Sequence, residues 1–284
     1  DFLYNTQRAC VTRTSIDYFP DIPESHGMHV FTNAHTSFWM GEFILPDWDM
    51  FQSGNSAGEF HAMSRAISGG PIYCTDEIGK QRFDILRRVS TPDGRIGRCI
   101  VPARITRDTL FVDPARDHAA IKVFSRNHIG YVIGVFNCCH DSDALIHVSG
   151  QARVEDVHGI VGEQFHVHSF RKGSLGVYAR NGSWPYDLAM MEADLFTLSP
   201  IEDGWAVVGL VEKYNPLGFV SSLAYADRTL RLDLLEADTL VLWCEHAPRS
   251  VSAPYEYHEK DHLLTIHPHH TTVVVDFAED SYAE

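Results

Sequence analysis

The sequence predicts an α/β segment followed by an all-β one. Residues 1–117 read as the C-terminal part of a (β/α)8 barrel, about three β/α units with a junction, and residues 118–284 as a C-terminal antiparallel β-sandwich. Three observations predict this. Up to about residue 103, short apolar runs alternate with stretches of helical period, the pattern of a parallel sheet or barrel. Asp17, Asp49 and Asp76 each follow a predicted strand directly, the position that forms the C-terminal rim of a β/α barrel. From about His118 the period changes to two and helical periodicity nearly vanishes. Three units do not close a barrel of eight strands. The missing strands are therefore expected before Asp1, or this half is no barrel.

Each element has a local reason. Ala9 to Thr14 is short and partly β-branched, a buried strand leading into a polar loop. Pro23-Glu24 opens a helix on which Met28, Phe31 and Phe38 recur at helical spacing. Ile44-Leu45 is the apolar step into Pro46-Asp47-Trp48-Asp49-Met50-Phe51. Ser56-Ala57-Gly58-Glu59 reads as a capping box, and the helix after it places Phe60, Met63 and Ile67 on one face before stopping at Gly69-Gly70. Pro71 to Thr75 is the next strand, and Phe83, Leu86 and Val89 mark a last helix. In the second half, Lys122–Phe124 and Val132–Phe136 flank a hairpin at Asn127-His128-Ile129-Gly130. Leu230, Leu232 and Leu234, and later Val273, Val275 and Phe277, alternate with polar residues as strands.

The bulk composition narrows the function. With 38 acidic against 23 basic residues the net charge is −15, which repels nucleic acid and anionic membrane surfaces. No apolar run approaches the ~18–20 residues of a membrane span. The 284 residues suffice for two domains, and 44% hydrophobic with 21% charged residues describes a globular chain. The six cysteines match no zinc framework and read as reduced thiols of an intracellular, cytoplasmic protein. Asp1 opens no signal-like apolar core, and the expectation is a C-terminal piece of a longer protein.

Pro46–Phe51 sets two carboxylates around one indole. A sugar presents C–H faces ringed by hydroxyls; an indole covers the first and ionised Asp binds the second. Together with Arg13-Thr14-Ser15-Ile16-Asp17-Tyr18-Phe19-Pro20 before it and Gly69-Gly70-Pro71-Ile72-Tyr73-Cys74-Thr75-Asp76 after it, this block resembles the raffinose synthase and seed-imbibition-protein group of glycoside hydrolase family 36. The resemblance covers most of residues 8–140 and thins afterwards. It implies retaining α-galactosyl transfer to water or to a sugar acceptor, with a small α-galactoside as partner and no cofactor, because two carboxylates suffice. Arg13-x-x-x-Asp17 resembles the family's acid/base motif. It makes Asp17 the candidate acid/base and Arg13 a substrate-hydroxyl ligand rather than a close partner of Asp17.

A free Asp titrates near ~3.9, so Tyr18, Phe19 and a nearby nucleophile are expected to raise Asp17. The bland alternative is an Arg–Asp bridge. Asp49 and Met50 match the position that receives galactose hydroxyls and lines the pocket. Trp48 is open between stacking on the sugar and packing in the core, and Asp76 between supporting the site and fixing a loop. The nucleophile of the family lies in a Lys-x-Asp block two strands earlier, and none precedes Arg13 here. Residues 1–284 alone are accordingly expected to be inactive.

Asp113–Asp117 and Lys213-Tyr214-Asn215-Pro216-Leu217 also resemble family segments, the first as a turn held by Arg–Asp pairs, the second without assignable chemistry. Two rivals remain: a non-catalytic galactose-binding module, and a metal-dependent nucleotide-sugar transferase using Asp47-x-Asp49. His166/His168 and His267/His269/His270 are read as core or surface histidines rather than metal ligands.

Overall fold

Why the chain turns where it does is clearest at its start. The computed structural model describes residues 10–141 and 144–278. Strand β1 (Val11–Arg13) leads through a loop to helix α1 (Pro23–Met40), strand β2 (Leu45–Asp47) and helix α2 (Gly58–Ser68). Ala9, the expected start of the first strand, lies outside the described residues. β1 and β2 pair in parallel, Val11 opposite Leu45 and Arg13 opposite Asp47. A single parallel bridge, Phe51 to Cys74, stands where Pro71–Thr75 was expected as a strand. Pro46 and Pro71 bring no N–H to a ladder, and Asp49 turns the chain at φ +65°, so pairing is interrupted and resumes only at Phe51. Helices α3 (Phe83–Leu86) and α4 (Pro114–Asp117) are single turns on either side of strand β3 (Arg104–Ile105). Asp113 caps α4 through Ala115 N–H, and Arg116 lies 3.5 Å from Asp113.

Helix α1 starts with Pro23 in its first turn, as expected, but buries a different face. Ser25, His26, His29, Val30, Asn33, Ala34 and Ser37 are buried, while Met28 is exposed and Phe31 and Phe38 are half-buried. Polar side chains can take that face because each finds a partner, His29 through Nε2 alone, its Nδ1 being buried without one. Asn33 accepts from Thr14 Oγ1 at 2.7 Å and donates to Trp48 O at 3.3 Å, and Ser37 Oγ accepts from the Trp48 indole at 2.8 Å. Gly27 permits the close approach of α1 to Cys138, whose carbonyl oxygen would lie 2.1 Å from an added Cβ.

The capping box at α2 does not form: the N-cap is Ala57, without a side-chain cap. Asn55 Oδ1 accepts the Ala57 N–H instead, at 2.9 Å, and Glu59 is drawn away to Tyr214 and Arg88. The helix does end at Gly69 in the left-handed region, φ +77°. Phe60, Met63 and Ile67 are buried as expected, and so is the opposite face with His61, Ser64, Arg65 and Ser68.

The strands that follow form four sheets. β4 (Ile121–Arg126) and β5 (Tyr131–Phe136) make the expected hairpin; β6 (Val148–Arg153), β7 (Gln164–Ser169), β8 (Gly173–Ala179), β9 (Ser183–Leu188) and β10 (Ala193–Pro200) complete the region. The sheet order is β3-β4-β5-β10-β7-β8, with β6-β9 as a separate ribbon. Beyond them β11 (Trp205–Leu210), β12 (Val220–Ala226), β13 (Thr229–Leu234), β14 (Leu240–Cys244), β15 (Ser250–Val251), β16 (Tyr255–His258), β17 (Leu263–Ile266) and β18 (Thr272–Asp276) form two sheets, β11-β14-β17-β16 and β12-β13-β18-β15.

One core joins Trp48, Phe51, Phe60 and Met63 to Val123, Val132, Phe136 and Leu195, so it runs across residue 117/118. A second lies between the six-stranded sheet and the ribbon, around Ile133, Phe165 and Trp184. The third fills the two four-stranded sheets, with Leu232, Leu242, Leu264 and Val275. The segment expected as one sandwich thus holds two cores of its own. Lys213–Leu217 clasps the layers: Lys213 donates to Arg87 O at 2.6 Å, Tyr214 to Glu59 at 3.0 Å and Asn215 to Gly97 O at 3.0 Å. A helix-bearing parallel part therefore precedes a longer antiparallel β part.

Candidate active site

The C-terminal ends of β1 and β2 bring Arg13, Asp17 and Asp49 together. Arg13 Nη2 lies 2.7 Å from Asp17 Oδ1, and Nη1 lies 3.7 Å from Asp49 Oδ2. The expectation that Arg13 stands off from Asp17 is corrected here: the two are an i,i+4 ion pair, each about half-exposed, and Arg13 links both carboxylates. Tyr18 does not cover Asp17 either. Its ring is buried among His26, His29 and His61, where burial pushes the phenol up, and its oxygen accepts from Gln52 N–H.

Asp49 is the buried member of the group, 6% exposed. Its backbone sits at φ +65°, a left-handed conformation that costs a non-glycine residue roughly 1–2 kcal/mol. Three bonds hold it there. Asp49 N–H donates to Asp47 Oδ1 at 2.8 Å, Met50 N–H donates to Asp49 Oδ1 at 2.9 Å, and Asp49 O accepts from Arg65 Nε at 3.2 Å. The second carboxylate oxygen, Oδ2, is buried without a hydrogen-bond donor. A buried, unsatisfied carboxylate oxygen is unfavourable in a resting protein, and it suits a site that receives hydroxyl donors. Both Asp47 oxygens have partners in the protein, Oδ1 accepting from Asp49 N–H and Oδ2 from Tyr73 OH at 2.8 Å; burial, then this bond, pushes that phenol up. It is a strut for Asp49.

Trp48 resolves in favour of the core. It is 0% exposed and donates to Ser37 Oγ, so its indole cannot stack on a sugar. Met50 packs half-buried against the first core, its carbonyl accepting from Arg65 Nη2 at 2.9 Å. Asp76 fixes a loop: its oxygens accept from Gly54 N–H at 2.7 Å and Ser53 Oγ at 2.9 Å. Burial raises its carboxyl, but these bonds outweigh burial and leave it below the ordinary range.

Beneath Asp49 lies a polar cluster that sequence reasoning missed. Arg65, 1% exposed, donates once from Nε, twice from Nη1 to His61 Nδ1 and Ser64 Oγ, and twice from Nη2 to Met50 O and to His29 Nε2, which then accepts and makes no bond to Trp48 O 3.2 Å away. All five N–H groups are used and none meets a carboxylate. Because guanidinium only donates, His61 Nδ1 accepts and its Nε2–H donates to His26 Nδ1 at 2.8 Å. Burial, then the Arg65 charge, lowers His29 to about 4 and holds His61 well below its ordinary value. Arg65 itself falls to about 10 through burial, opposed by Tyr18, Asp49 and Asp47. The signal was present in the spacing. His26, His29, Asn33 and Ser37 share one helical face, as do His61 and Arg65.

The other flagged histidines are placed plainly. His166 and His168 are buried in β7, lowered by burial to about 3 and 4, with His166 Nε2 2.8 Å from Ser174 Oγ. His267, His269 and His270 are exposed.

Residues 1–262 match the family described as raffinose synthase or seed imbibition protein Sip1, and the chain belongs to that family. It is 39% identical over 259 residues to "Probable galactinol–sucrose galactosyltransferase 6" of Arabidopsis thaliana, covering 82% of this chain and 35% of that one. It is 30% identical to the galactinol–sucrose galactosyltransferase of Pisum sativum, over 91% of this chain and 38% of that one. Among solved structures, the α-galactosidase of Saccharomyces cerevisiae with raffinose aligns at a TM-score of 0.45 and 10% identity, over 68% of this chain and 58% of that one. The chain spans well under half the length of the curated relatives it matches.

Proposed function

We propose that this chain carries the acid/base side of an α-galactoside-processing site, acting by retaining α-galactosyl transfer to water or a sugar acceptor. The observation that carries the reading is Asp49. A buried carboxylate, held in a left-handed turn with one oxygen lacking a donor, is joined through Arg13 to a second carboxylate at the ends of parallel strands. Membership of the raffinose synthase family supports the substrate class. In this reading β1, β2 and the Phe51–Cys74 bridge belong to the last three β/α units of a (β/α)8 barrel. The short helix-bearing parallel segment supports that assignment.

Retaining transfer needs a proton donor on the leaving oxygen and a carboxylate nucleophile about 5–5.5 Å away across the ring. Asp17 takes the first role, solvent-accessible and free to lose Arg13 when substrate hydroxyls compete for the guanidinium. Asp49 Oδ2 receives sugar hydroxyls, and Met50 lines that wall. The nucleophile belongs to a Lys-x-Asp block, which no residue before Arg13 supplies. Free cysteines throughout the described residues are in keeping with a cytoplasmic home.

The test compares leaving groups in the intact protein. Asp17→Ala is expected to lose most on poor leaving groups, since activated phenolates barely need protonation. Asp49→Asn is expected to lose about equally on all. Sustained hydrolysis of a nitrophenyl α-galactoside by residues 1–284 alone, abolished by Asp17→Ala, would instead place the nucleophile within this chain. Binding of galactose by the intact protein without any turnover would favour the sugar-binding module.

A further inference from the structure

We infer that Arg65 is a positioning residue for sugar binding: the buried guanidinium clamps the Asp49–Met50 peptide so that Asp49 Oδ2 faces Arg13 without a hydrogen bond of its own and can take a substrate hydroxyl. The inference rests on the proposed function of this site. The peptide between Asp49 and Met50 is held at both of its polar groups. Its C=O accepts from Arg65 Nε, and its N–H donates back to Asp49 Oδ1. Arg65 Nη2 takes the next carbonyl, Met50 O, so one rigid fork spans two successive carbonyls of the turn. That fork determines where the carboxylate points: Oδ1 is consumed by its own chain, and Oδ2 is buried without a hydrogen bond, 3.7 Å from Arg13 Nη1.

The seat of Arg65 is built with equal care. Every residue of α2 except Glu59 is buried, the ring of Phe51 lies 5.8 Å from the guanidinium carbon, and His29, His61 and Ser64 take the remaining donors. Two histidines in place of carboxylates matter here. A carboxylate would neutralise Arg65 locally, whereas neutral imidazoles leave its charge to be answered by Asp49 and Asp47 above it. Lysine cannot replace this arrangement, because an ammonium has no planar fork to span two carbonyls.

The experiment is a double-mutant cycle in the intact protein, reading kcat/KM on nitrophenyl α-galactoside with melting temperature as a fold control. Asp49→Asn keeps the tolerance for a left-handed backbone and removes the charge. Arg65→Lys is expected to lower kcat/KM roughly ten- to a hundredfold in the native background and less than about threefold in the Asp49→Asn background. Should Arg65→Lys not fold, His61→Asn, which keeps an acceptor toward Nη1 in a poorer position, carries the same cycle with a smaller loss. Equal losses in both backgrounds, or no loss in the native one, would overturn the role of Arg65 while leaving the site reading standing. Full activity in Asp49→Asn would overturn both.

Discussion

Asp49 and Trp48 are neighbours in sequence with opposite fates, and single substitutions should separate them. Asp49→Asn removes a charge-assisted acceptor of about 1.5–3 kcal/mol, roughly ten- to a hundredfold in kcat/KM, with little effect on melting. Trp48→Phe should do the reverse. It strands Ser37 Oγ in the core, costing about 1–3 kcal/mol of stability while kcat/KM per folded molecule stays within about threefold. A raised KM without a melting shift in Trp48→Phe would return the indole to the sugar. Asp17 and Asp49 were singled out by the Arg13-x-x-x-Asp17 and Pro46–Phe51 motifs, and the structure sets both beside Arg13. The role of Trp48 was not legible in the sequence, because an aromatic beside two acids fits a platform and a core wall equally, and only burial decides. Arg13 was misjudged for a related reason: a four-residue offset across a loop does not reveal whether two side chains meet.

At the level of elements, glycines mark where backbone meets backbone. An Ala at 27 would place its Cβ 2.1 Å from Cys138 O, and one at 70 would place it 2.0 Å from Pro46 O. Both substitutions should destabilise by about 1–3 kcal/mol or more, since a carbonyl cannot move aside cheaply. Gly79→Ala has a positive φ, +87°, but nothing within 4 Å, and should cost only the left-handed penalty of roughly 1–2 kcal/mol. Thermal melts of the three variants check the order; a Gly79 variant weaker than the Gly27 variant would contradict it.

The helices themselves were legible from Pro23 at one start and Gly69 at one stop. Their buried faces were not. Apolar periodicity finds a core of carbon, whereas α1 and the far side of α2 bury histidine, asparagine, serine and arginine matched to partners distant in sequence. The capping box failed for the same reason: Glu59 has a better offer from Tyr214, 155 residues away.

Across the whole molecule, buried histidines set the response to acid. His29, His166 and His168 lie at about 4, 3 and 4, and His26 and His61 are also lowered, in each case chiefly by burial. The unfolded chain takes up protons near pH 6.5 that the folded chain refuses, so stability is full above about 6.5 and falls as pH drops toward 4. Asp194 acts in the opposite sense: burial raises it to about 6, so its contribution grows as pH falls from about 6 to 4. The histidines outnumber it, and melting temperature should fall steadily from pH 7 to 4.5, less steeply in His166→Gln.

Layering makes a second molecule-wide prediction. Because the first core runs across residue 117/118, cleavage there should expose Val123, Val132 and Leu195 and promote aggregation of both pieces. The two four-stranded sheets have their own core, and residues 201–278 should melt cooperatively alone. The change from helix to strand at that boundary was legible from periodicity, while the number of cores was not, because alternation shows which face is buried but not against what.

Asp17 is proposed as the proton donor of a retaining α-galactosyl transfer. The most direct measurement of that role is azide rescue of Asp17→Ala in the intact protein, with an α-galactoside carrying an activated leaving group and the product anomer read by NMR. Azide entering the space left by the carboxylate should restore turnover and yield galactosyl azide of retained configuration, while Asp49→Asn shows no rescue. Loss of activity in Asp17→Ala that is equal on good and poor leaving groups, with no galactosyl azide formed, would show that another group protonates the leaving oxygen.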